Sequence, residues 1–145
     1  MDIHLALAAI GPAASPATEL LVKSIGSKDA GERESALYAL RKIGPGAKAA
    51  VEPLLARVTA DDSFDALAAA LALSEIAPAD KHVSDAIVPE LIKGVSHADE
   101  QARMESITAL GKLKAAAKAT AELEDAAKND GSPMVRAAAE AALQK

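Results

Sequence analysis

The chain has 145 residues, 37 of them alanine, with no cysteine or tryptophan, one tyrosine, one phenylalanine and a formal net charge of −5. Without cysteine there is no disulfide framework, no cysteine zinc site and no thiol catalysis. The acidic balance and the near-absence of aromatic surface set aside a nucleic-acid partner, which would need basic and stacking groups.

From the N-terminus, Ile3, Leu7 and Ile10 fall at helical spacing, and the helix they predict stops at Gly11-Pro12. The stretch from Ile3 to Thr18 is uncharged apart from His4. It has no basic residue ahead of it and is interrupted by Gly11-Pro12 and Pro16, so neither a signal peptide nor a membrane span is expected. The segment Leu7-Ala8-Ala9-Ile10-Gly11-Pro12 then returns 33 residues later as Leu40-Arg41-Lys42-Ile43-Gly44-Pro45. It returns again as Leu73-Ser74-Glu75-Ile76-Ala77-Pro78, and after 37 residues as Leu110-Gly111-Lys112-Leu113. The four extra residues are placed in a connection near Lys81 to Asp85.

A second register repeats at the same offsets. Leu21 and Ile25 map to Leu54 and Val58, then to Leu91 and Val95; Asp29 maps to Asp62 and Asp99. Each unit therefore holds two apolar stripes of helical period, an A helix followed by a B helix. The A helices are predicted over 16–26, 47–60, 84–96 and 115–128, and the B helices over 30–43, 62–76, 99–113 and 131–143. Asp62 and Asp99 sit where an N-cap would accept orphan backbone N–H groups. The units run 13–45, 46–78, 79–114 and 115–145 in one domain, after a half-unit over 1–12. The series Ala39, Ala72, Ala109, Ala142 predicts close helix approach. The chain begins in mid-unit and ends without a polar cap, which reads as a fragment or domain of a larger protein.

These residues resemble the HEAT-repeat family, in particular the short HEAT-like repeats of phycobilisome-lyase subunits. The best match is Val88-Pro89-Glu90-Leu91-Ile92-Lys93-Gly94-Val95, followed by Asp99, Arg103 and Ala109-Leu110. Met134-Val135-Arg136-Ala137-Ala138-Ala139 and Ile43-Gly44-Pro45-Gly46-Ala47 fit the same pattern. The resemblance implies an all-α, right-handed α-solenoid of about four helix pairs plus the N-terminal half-repeat. It also implies an Asp–Arg ladder between neighbouring units, matched at Asp29–Arg33, Asp99–Arg103 and Arg136. The second unit has Ala66 in place of the arginine, so the ladder is expected to break there, with Phe64 filling space.

The outward ridge of the B helices is the default binding surface of stacked helix pairs. Its expected partner-binding residues are Glu34, Tyr38, Arg41, Leu67, Leu71 and Met104, with Tyr38, Leu67, Leu71 and Met104 forming a shallow apolar groove for a protein or peptide. Self-association through Ile3, Leu7 and Ile10 is a further expectation. His4, His82 and His97 lack metal-ligand spacing and read as solvated, and no cofactor is expected. Asp61, Asp62 and Asp65 read as a solvated acidic cluster. No nucleophile motif, phosphate loop or dinucleotide fingerprint is present, so the expected role is a non-enzymatic interaction or scaffold module. Two other readings stay open. One is a phycobilin-lyase-like accessory protein that anchors a tetrapyrrole through Tyr38 and Arg41; the other is a repeat domain appended to an enzyme.

Overall fold

A computed structural model describes residues 2–59 and 63–145. The described residues form α1 (Ile3–Ile10), a 3-10 segment (Gly11–Ala17), α2 (Thr18–Ser24), α3 (Ala30–Ile43), a second 3-10 segment (Gly44–Ala50), α4 (Val51–Val58) and α5 (Ser63–Ile76). They continue as α6 (Lys81–Gly94), α7 (Glu100–Lys112), a 3-10 segment (Ala116–Ala119), α8 (Thr120–Asn129) and α9 (Pro133–Leu143), with no strand among the described residues. Contacts gather into two compact units, residues 1–86 and 87–145.

In the first unit α1 packs on α3 and α3 on α5, while α2 and α4 each pack on the B helix that follows. The core is the predicted register: Leu21, Leu37, Leu40, Ile43, Leu54, Leu73 and Ile76 are all buried. Each such aliphatic side chain contributes about 1.5–3 kcal/mol. Ala39 and Ala72 are fully buried, in keeping with the close approach their size allows. The turn after each early B helix depends on glycine. Gly11 and Gly44 have φ of +68° and +67° with ψ of −136° and −138°, a region essentially closed to residues with a Cβ. Their N–H groups donate to the carbonyls of Leu7 and Leu40, and Pro follows. Gly46 serves a different purpose: a Cβ there would lie 2.9 Å from the Ser15 Cβ, so its hydrogen lets the two 3-10 segments touch.

The second repeat has Ala77 at the glycine position, and the turn into the third repeat is built differently. Residues 77–80 form the link, and Asp80 Oδ1 accepts from the Val83 N–H at 3.2 Å as α6 starts at Lys81. The extra residues therefore lie in that link; Lys81 to Asp85, where the sequence placed them, are helical. The A helix is a regular α-helix here, not a 3-10 segment followed by a short α-helix.

In the second unit α8 packs on α9 and α7 on α9. Leu91, Ile107, Leu110, Leu123, Val135 and Ala139 are buried. Asp99 caps its B helix as predicted, its Oδ1 accepting from the Ala102 N–H at 2.9 Å, and Asp29 caps α3 in the same way, its Oδ1 accepting from the Glu32 N–H at 2.8 Å. Ser132 takes the same role for α9. The expected cap at Asp62, with Asp61 beside it, lies outside the described residues.

Ile3 to Ser24 is a helical run long and apolar enough to cross a membrane by length and composition, with mean hydropathy 1.4. It turns sharply at Gly11, which leaves α1 only eight residues long.

Candidate partner-binding surface

The helix register places Glu34, Tyr38 and Arg41 on one face of α3, at i, i+4 and i+7. Glu34 and Tyr38 are exposed, Tyr38 at 44%, and Arg41 is half-buried. Leu5 occupies the register position of Tyr38 on α1, the helix packed beside α3, and is 51% exposed. The Lys42 ammonium lies 5.3 Å from the centroid of the Tyr38 ring. At an exposed site this contact is worth about 0.5–1 kcal/mol, and it holds the ring in place. The face thus runs from an acid at the N-terminal side of α3 to bases at its C-terminal side, the order that the helix dipole favours.

The continuous apolar groove expected from the sequence is not formed as drawn. Leu67 and Leu71 are 6% and 5% exposed, so they supply core instead of surface. The cause is α5 itself, whose residues 66–73 are Ala and Leu on every side; a helix apolar all round is a buried helix. Met104, on α7 in the second unit, is half-buried. Met134 on α9 is 65% exposed.

Behind the ridge the repeats are joined by buried ion pairs, and here the sequence reading also needs correction. Arg33 Nε donates to Asp65 Oδ2 at 2.6 Å, and its Nη1 donates to the carbonyls of Ser27 and Lys28. Arg57 Nη2, from α4, donates to the same Asp65 oxygen at 2.9 Å. Asp65 is thus buried between two guanidinium groups and does not belong to a solvated acidic cluster. Arg33 thus links the first repeat to the second, while Phe64, expected to fill space where Ala66 replaces the arginine, remains 51% exposed. In the second unit Arg103 repeats the arrangement with Nη1 on the carbonyls of His97 and Ala98. Its Nε and Nη2 grip Asp130 at 2.7 and 3.0 Å. The hydrogen bond from Arg103 holds the Asp130 carboxyl below the usual range, assisted by the Ser132 N–H. Arg136 Nη1 closes the series on the Asp130 carbonyl at 2.7 Å.

His4 is buried, contrary to expectation. Ser35 Oγ reaches the Glu32 carbonyl and also shares a hydrogen bond of 2.9 Å with His4 Nδ1. This bond fastens α1 to α3. It joins neighbouring B helices across 31 residues. A polar cleft of about 290 Å³ lies in the second unit, lined by His97, Arg103, Glu122, Asp125, Asn129 and Asp130 among others. Neither Tyr38 nor Arg41, the anchors a tetrapyrrole reading would use, lines it. Among the described residues no group of three or more His, Cys, Asp or Glu side chains is placed to hold a metal.

No curated protein matches the chain. The family model for HEAT repeats matches residues 66–144, more than half of the sequence. With the paired helices, the recurring core register and the arginine–aspartate joints already in place, the chain belongs to the HEAT-repeat family.

Proposed function

We propose that this protein is a non-enzymatic module that holds a protein or peptide partner on the ridge formed by α1 and α3. HEAT repeats commonly mediate protein–protein interaction or scaffolding. The observation that carries the reading is Tyr38, the single tyrosine of the chain, held open beside Leu5 and braced by Lys42. Exposed tyrosine on a rigid element supplies large contact area at low entropic cost, which is why tyrosine recurs among interface hot spots. An amphipathic helix fits this strip, its apolar side chains on Leu5 and Tyr38, a basic group near Glu34 and an acidic group near Arg41 and Lys42. Leu67 and Leu71 are buried on α5, the helix packed against α3, and take no part in the contact.

The test is a photo-crosslinking amino acid placed at position 38, with position 48 on the 3-10 segment that follows α3 as the control, followed by identification of the captured protein. The identified partner is then titrated against Leu5→Ala and Tyr38→Ala. Selective capture at position 38 and a loss of about ten-fold or more in affinity are expected. Equal capture at position 48, or unchanged affinity in both variants, overturns the reading.

A further inference from the structure

We propose that the polar cleft of the second unit is a receptor for an arginine side chain carried by a partner protein or peptide. The joint between repeats in the first unit supplies the pattern. There Asp65 Oδ2 accepts two guanidinium donors, Arg33 Nε at 2.6 Å and Arg57 Nη2 at 2.9 Å. In the second unit the acid comes from a link instead of a helix. Asp130 Oδ1 is taken by Arg103 Nη2 and the Ser132 N–H, but Oδ2 accepts Arg103 Nε alone among the described residues. The Asp130 side chain is 8% exposed and lines the cleft, so a buried acceptor beside open space keeps a lone pair unused. The sequence shows why the second donor is missing. Leu54 of α4 and Leu123 of α8 are both fully buried, and three residues beyond them stand Arg57 and Ala126. The α4 helix completes its joint with its own arginine, whereas α8 has only a methyl group there, and Ala126 lines the cleft.

Charge selects the occupant. Glu122, Asp125 and Asp130 line the cleft against one guanidinium, Arg103, which is already bidentate on Asp130. The Glu122 carboxylate is on a half-buried residue and has no hydrogen bond or ion pair among the described residues. Asp125 Oδ1 accepts from Asn129 Nδ2 at 2.7 Å, and His97 Nδ1 is itself an acceptor, of the Asp99 N–H at 3.1 Å. A cation entering this space of about 290 Å³ therefore meets acceptors on α8 and on the link at Asp130. An ammonium is a compact, strongly hydrated point charge. A guanidinium is more weakly hydrated and spreads its donors over a planar fork, so it can serve carboxylates on more than one side, as Arg33 and Arg57 do around Asp65. HEAT repeats commonly bind proteins, which makes a partner's surface the source of that group. The site lies wholly within the second unit and does not depend on the Tyr38 ridge of the first.

NMR of the intact chain during titration with the blocked peptide acetyl-Gly-Gly-Arg-Gly-Gly-amide tests the proposal, with the corresponding lysine peptide and sodium chloride at matched ionic strength as comparisons. Saturable shifts of the Asn129 side-chain and Gly131 backbone amide signals are expected, with the arginine peptide bound about five-fold or more tightly than the lysine peptide. Glu122→Gln combined with Asp125→Asn should weaken binding about ten-fold or more with an unchanged circular dichroism spectrum. Ala126→Arg should supply the guanidinium in cis and abolish peptide binding; where that variant does not fold, the carboxamide pair decides. Absence of saturable shifts overturns the proposal, as does an equal response to lysine or to sodium chloride, or full-strength binding in the carboxamide pair. Tighter binding of agmatine than of the arginine peptide would assign the cleft to a small guanidinium compound and equally overturn it.

Discussion

At Asp65 two guanidinium groups converge on one buried carboxylate, and its removal takes the carboxylate acceptor from both Arg33 and Arg57. Breaking a buried ion pair from one side costs more than the pair contributes, because the orphaned charge keeps its desolvation penalty. Asp65→Ala is therefore expected to lower stability by about 3 kcal/mol, read as a fall in the urea midpoint at unchanged slope. An unmoved midpoint would show that the joint carries no load. Asp130 makes the corresponding prediction for pH. Its folded-state carboxyl titrates below the ordinary aspartate range, so the unfolded chain takes up this proton first as acid is added. The contribution is complete above about pH 4, the unfolded value, and disappears as pH falls through the lower folded value. Acid unfolding of the second unit should shift to higher pH in Arg103→Met; coincident acid transitions would contradict the assignment.

The helices themselves follow from residue spacing, and so does how tightly they stack. Ala72 is fully buried in α5, at the position where each repeat has alanine. Ala72→Leu adds three carbons where neighbouring helices leave no room and is expected to cost about 1–3 kcal/mol by overpacking, visible as a lower Tm. An unchanged Tm would contradict the shared register. Most of the fold was legible because core positions repeat as Leu and Ile at helical period, and because Gly11 and Gly44 mark turns that only glycine can make. The ridge was harder to read. Leu67 and Tyr38 occupy similar outward positions in the repeat, and periodicity alone cannot tell a side chain that faces water from one that α5 buries on all sides. Arg57 and Asp65 were missed for a related reason. The expected ladder pairs aspartate with arginine inside a fixed motif, whereas Asp65 lies one turn beyond the motif position and receives a cation from an A helix.

For the molecule as a whole, two-helix repeats laid in series make stability a sum of repeat terms and nearest-neighbour terms. Function then belongs to the exposed side chains, since the core register is satisfied by many surfaces. That serial organisation underlies the proposed binding ridge, which is defined by register positions that one repeat exposes and another covers. Hydrogen exchange read by mass spectrometry on the intact chain tests it most directly. Protection should appear in separate blocks over α3, α5, α7 and α9, spaced about one repeat apart. Fast exchange should mark the links at 26–29, 77–80, 96–99 and 130–132. A protected block running unbroken through those links, or absence of protection in α5 and α7, would contradict the account.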